Sequence, residues 1–119
     1  MNLQPDFSAT RQACSVYLKN RVDKCYHLKE PHKDRSDLKP IPQSDRDALK
    51  SSILRLIVTA PNSAIVLQLA STTRHLIAHD FPEKWPGFID SIKAMLASSD
   101  IREITGACTA LLEVVRAFR

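Results

Sequence analysis

His75 and His79, four residues apart, are the residues of this chain whose type and spacing come nearest to a chemical site. On a helix they share one face, which is half of a zinc site. The glutamate of an H-E-x-x-H pair is missing, since Leu76, Ile77 and Ala78 lie between them, and no third ligand is implied. They read as two helix-surface histidines, with His79 favourably near a helix C-terminus. Cys14, Cys25 and Cys108 are odd in number and lack a C-x-x-C spacing, so they read as reduced, mostly packed thiols rather than a disulfide framework or zinc knuckle. With only Gly87 and Gly106 available, no glycine-rich loop exists to cradle a phosphate. No catalytic constellation, cofactor or metal is expected, and the chain does not read as an enzyme.

The single tryptophan, Trp85, has the surface to stack on a ligand, but its neighbours place it otherwise. It starts a run Trp85, Phe88, Ile89, Ile92, Leu96 with the spacing of one helical stripe, which makes it core. Around it, Asp80-Phe81-Pro82-Glu83-Lys84-Trp85-Pro86-Gly87-Phe88 holds two prolines, and no helix crosses both. One helix must end here and another begin.

The elements that flank this corner are all helical. Helices are expected at about 7–27, 45–60, 61–80, 86–97 and 101–118, with a polar, proline-containing loop at 28–43. Asp6 or Ser8 is the expected cap of the first, whose stripe is Ala13, Val16, Tyr17 and Cys25 or Tyr26. Ser44 and Asp47 resemble a capping box for the second, in which Leu49, Ile53, Leu56, Ile57 and Ala60 align. Pro61 suits the first turn of the third, where Ile65, Leu69, Ala70, Thr73, Leu76 and Ile77 form a broad stripe. Asp100 and Glu103 form a second cap, ahead of Ile101, Ile104, Cys108, Leu111, Leu112, Val115 and Phe118. Gly106 within that helix costs about 1 kcal/mol relative to alanine, and either permits a close helix approach or is merely tolerated.

Length and composition agree with one all-α domain. Of 119 residues, 44% are apolar and 25% charged, as in a folded soluble protein. The net charge of +4 is uneven, with 11 Lys+Arg against 7 Asp+Glu in residues 1–60 and 6 of each thereafter. Without an arginine-rich tract or paired aromatics, this excess does not read as a nucleic-acid surface. No apolar run approaches the roughly 18 residues of a membrane span and no signal-peptide core is present, so a cytosolic or nuclear compartment is expected.

The helices recur. Those opening at Asp45 and Pro86 are 41 residues apart and those at Pro61 and Asp100 are 39 apart, the spacing of two-helix HEAT or armadillo units. The expected fold is therefore an α-α superhelix of about five helices. Terminal repeats normally turn a polar face outward, whereas both end helices here carry apolar stripes, so the chain reads as a piece of a longer solenoid.

Arg11-Gln12-Ala13 with Tyr17-Leu18-Lys19-Asn20, then Ile41-Pro42 with Asp45-Arg46, Gln68-Leu69 and Asp80-Phe81-Pro82-Glu83-Lys84-Trp85-Pro86 stand in a distinctive order. The chain resembles the N-terminal HEAT repeats of importin-β superfamily karyopherins, most closely the importin seven/eight branch and next the export receptor of importin-α. The resemblance covers nearly the whole chain. It implies that the helix from Asp45 and the helix at 86–97 are B helices lining a concave face, that the first repeats grip the GTP form of the GTPase Ran, and that the chain moves between cytoplasm and nucleus through the pore. Nucleoporins and cargo would be engaged only by a full-length receptor. Under the resemblance, the first repeat and the cargo-binding remainder lie outside this chain, and Tyr26 stands where the family usually has tryptophan, a change of little weight for packing. The candidate Ran-contacting residues are the solvent-side charges of the two B helices: Arg46, Lys50 and Arg55 on one, Asp90 and Lys93 on the other. The alternative is a helical-repeat scaffold that binds other proteins without preference for Ran.

Overall fold

The computed structural model describes residues 8–28 and 39–119. The leader, including Asp6 as an expected cap, and most of the loop expected at 28–43 lie outside the described residues. Five helices follow in order: α1 (Ser8–Cys25), α2 (Gln43–Thr59), α3 (Ser63–Asp80), α4 (Phe88–Leu96) and α5 (Ile101–Ala117). Among the described residues there is no strand.

Two helix starts differ from the capping patterns. The α2 helix begins ahead of Ser44, with Pro42 at its N-cap and the Pro42 carbonyl accepting from the amides of Asp45 and Arg46, both at 3.0 Å. Ser44 thus lies inside the first turn, where its hydroxyl cannot cap, and Asp47 instead accepts from Gln43 Nε2 at 2.9 Å. Pro61 lies before α3 rather than in its first turn. Asn62 is the cap, accepting from the Ile65 amide at 3.0 Å. The cap of α5 is the expected one, Asp100 accepting from the Arg102 amide at 2.9 Å. Glu103 does not close the box, because the Asp100 amide is already taken by Ser98 Oγ at 3.0 Å.

The helices stack in two layers. The α3 helix is flanked by α1 on one side and α5 on the other, while α2 packs on α3 and α5, and α4 packs on α5. This is the side-by-side repetition of an all-α superhelix. The α1 helix reaches α2 through side chains, as where Arg11 Nη2 donates to the Thr59 carbonyl at 3.3 Å. Every residue of the α3 stripe is buried, and Thr72 and Thr73 sit in the core by donating back to the carbonyls of Gln68 and Leu69 at 2.9 and 2.7 Å.

The end helices differ from their expected orientation. In α1 the inward residues are Ser15, Leu18, Val22 and Cys25, whereas Tyr17 and Ala13 point to solvent. In α5 the buried residues are Gly106, Ala107, Ala110 and Glu113; of the expected stripe, Ile104 and Leu111 are half-buried, with Leu111 packed against the core, while Ile101, Cys108, Leu112, Val115 and Phe118 are exposed. Small side chains won the inner face because the helices come close. A Cβ on Gly106 would lie 2.9 Å from Val58 Cγ2 and 3.3 Å from Met95 Cε, so this glycine permits α5 to approach α2 and α4 together.

The thiols are not mostly packed: Cys25 is buried, but Cys14 and Cys108 are exposed.

Candidate functional site

The corner after α3 is where the chain fixes the relative positions of α1, α2 and α4. Trp85 is buried there, its ring 4.6 Å from that of Phe88 and continuous with the core. Phe81 meets the same Phe88 edge-on at 5.5 Å. Asp80, the last residue of α3, is buried, and a carboxylate so placed needs partners. It receives the Tyr26 hydroxyl from the end of α1 and pairs with Lys50 Nζ of α2 at 3.1 Å. Lys50 donates as well to the Lys84 carbonyl at 2.8 Å, tying α2 to the corner itself. Burial first, and then the bond to Asp80, pushes the Tyr26 hydroxyl well above the usual tyrosine range. Arg46 completes the group, with its guanidinium 4.2 Å from the Tyr26 ring centroid and its Nε donating to the Ile41 carbonyl at 2.8 Å.

Beside this lock, α2 and α4 stand apart on one side of the molecule, and an open groove of about 670 Å³ runs between them. Leu54, Val58, Trp85 and Met95 supply its apolar lining, while Asp47, Lys50, Arg55, Lys84 and Glu103 supply charge. Arg55 reaches across to Glu103 of α5 at 3.0 Å. Hydrogen bonding from Ser98, and then from Arg55, holds the Glu103 carboxyl below the usual glutamate range. The groove contains no nucleophile activated by a base. It is suited to accept a protein segment, with apolar contacts below and ion pairs along its edges.

The five candidate residues divide into three groups. Arg46 and Lys50 are half-buried and held by internal partners, Lys50 by Asp80 and the Lys84 carbonyl and Arg46 by the carbonyls of Ile41 and Leu28, although Lys50 also lines the groove. Arg55 is exposed and lines the groove. Asp90 and Lys93 are exposed on α4 but point away from its packed residues Phe88, Ile92 and Met95, and do not line the groove. On α4 the groove is instead formed by Ser91, Ala94 and Met95, and Glu103 enters from a helix to which no site residue had been assigned. Gly106 was the available signal for Glu103, since a close approach of α5 beneath α2 brings its first turn into the groove.

The histidines separate too. His75 is half-buried and faces Asp23 of α1 at 3.4 Å, and burial lowers its pKa despite that carboxylate. His79 is the exposed one, stacked on His27 at 6.3 Å. Tyr26 contributes more than packing, because its hydroxyl is part of the Asp80 lock.

Residues 3–59 match the family model of the importin-beta N-terminal domain. The chain is 31% identical over 109 residues to importin-8 of Homo sapiens, an alignment covering 91% of this chain and 10% of that protein. Against importin-8 of Danio rerio it is 33% identical over 107 residues, covering 89% of the chain and 10% of the relative. Against exportin-2 of Drosophila melanogaster it is 30% identical over 112 residues, covering 92% and 11%. The chain thus spans only 10% to 11% of the length of these curated relatives. No solved structure gives a significant match to the chain.

Proposed function

The chain belongs to the importin-β superfamily, and from its kinship with that family's N-terminal domain we propose that it is the Ran-GTP-binding N-terminal region of a nuclear transport receptor acting in nucleocytoplasmic protein import. The observation that supports this reading is the side-by-side placing of α2 and α4 with an open groove between them. In the resemblance these are the B helices of successive repeats, and their outward face is the concave surface that meets the GTPase. Binding here is non-covalent, and the nucleotide belongs to Ran. Arg55 from the groove, and Asp90 and Lys93 from the outward face of α4, are the charges this face offers to a partner. Lys50 supports the same face by holding α2 to the corner, and Arg46 by holding α2 against Tyr26 at the end of α1. Nucleoporin and cargo contacts belong to a full-length receptor, which works in cytoplasm, pore and nucleus.

Retention of purified Ran on the immobilised chain tests this. The GTP-loaded form is expected to be retained and the GDP-loaded form not, and Arg55→Glu combined with Lys93→Glu should weaken retention about tenfold, the size of two lost interfacial ion pairs. Equal retention of both forms would favour a general helical-repeat scaffold instead. Unchanged retention in the double variant would remove these positions from the contact.

A further inference from the structure

The groove holds two cations from α2, and they are placed differently. Lys50 is fixed by Asp80 and the Lys84 carbonyl, whereas the Arg55 side chain is 62% exposed. Arg55 is nevertheless engaged. Its Nη2 donates to Glu103 Oε1 of α5 at 3.0 Å, and both residues line the groove. A partner that takes this guanidinium must therefore take it from Glu103.

The exchange is open on both sides. An ion pair with so exposed a member is weak, so little is lost when it parts. Glu103 is not stranded by the loss, because the Ser98 hydroxyl bonds the same carboxylate and has the stronger hold on it. That hydroxyl can do so while its oxygen accepts from the Asp100 amide at 3.0 Å. Arg55, for its part, is attached through Nη2 alone among the described residues, and a guanidinium presents a planar fork of donors that fits both oxygens of an incoming carboxylate. The trade is thus one single-point bond for a two-point bond.

Resting on the reading of this face as the GTPase contact, we propose that Glu103 is a specificity-determining residue, which competes with a carboxylate of the partner for Arg55 and is displaced onto Ser98 when the GTP form binds. Until then the pair is neutral. A partner segment without an acid at that point meets no cation there, and one with an acid correctly placed releases it.

Titration of GTP-loaded Ran over the immobilised 119-residue chain tests this. Glu103→Gln should tighten binding about threefold, the size of one exposed ion pair that no longer has to open. Arg55→Ala should weaken binding, and adding Glu103→Gln to it should change nothing further. The urea midpoints of all three variants should stay close to that of the unsubstituted chain. Retention of GTP-loaded Ran with unchanged or weaker binding by Glu103→Gln would overturn this proposal and leave the GTPase reading standing. A gain that persists without Arg55 would also overturn it, since it would report the general potential of the groove and not a contest for one guanidinium. Failure of the unsubstituted chain to prefer the GTP form would overturn both.

Discussion

Two helices of nearly equal length, α3 with 18 residues and α5 with 17, both carry apolar stripes and use them differently. In α3 the stripe is the core: Ile65, Leu69, Leu76 and Ile77 are buried, with other helices on both sides. In α5 Ile101, Leu112 and Val115 face outward, and the buried residues are Gly106, Ala107, Ala110 and Glu113, with Leu111 and Val114 packed beside them. Periodicity identifies which residues share a face. Which face turns inward depends on how much room the neighbours leave, and α5 is pressed against α2, α3 and α4 at once. The two helices also end differently, since α3 closes on a buried carboxylate lock and α5 on a half-free aromatic cap.

Breaking that lock should have the largest effect. Asp80→Ala strands the buried Lys50 ammonium and the Tyr26 hydroxyl, and should cost about 3–5 kcal/mol in urea unfolding. Next, Leu76→Ala in the fully buried α3 stripe should cost about 2–5 kcal/mol, whereas Val115→Ala in the exposed α5 stripe should stay within about 0.5 kcal/mol. Equal costs at the two positions would erase the distinction between the helices. Gly106→Val should cost about 1–3 kcal/mol by overpacking against Val58, even though the helix gains a better former than glycine.

The smallest effects are in pH dependence. Tyr26 holds its proton in the folded state above the usual tyrosine pKa of 10.0, because of burial and then Asp80. The unfolded chain releases that proton first, so this contribution is complete below about pH 10 and is lost as pH rises beyond it. Tyr26→Phe should flatten the alkaline slope of stability measured by urea titration. His75 has the opposite sign. Its folded pKa lies below 6.5 through burial, so stability is lost as pH falls through that region, where the unfolded chain takes up the proton first. His75→Gln should remove that acid slope.

The corner beside the groove was legible in the sequence. Two prolines around Trp85 require a corner, and the aromatic spacing puts that tryptophan in the core. The charged residues were harder. Arg46, Lys50 and Arg55 look alike along α2, and nothing in their spacing tells which are surface. Only the arrival of Asp80 and Tyr26 from 30 and 20 residues away in sequence draws the first two inward. Glu103 had the pattern of a capping residue, but its carboxylate found Arg55 across the groove because Ser98 had already satisfied the Asp100 amide.

By itself the sequence determined that this chain is helical, where its helices break, and that they recur at a HEAT-like interval, because backbone preference and apolar period are local properties. The direction in which each stripe faces, the pairing of Lys50 with Asp80 and the opening between α2 and α4 were settled only by the tertiary structure. Those outcomes depend on which surfaces meet and how closely, and a single helix carries no record of its neighbours' volume or charge.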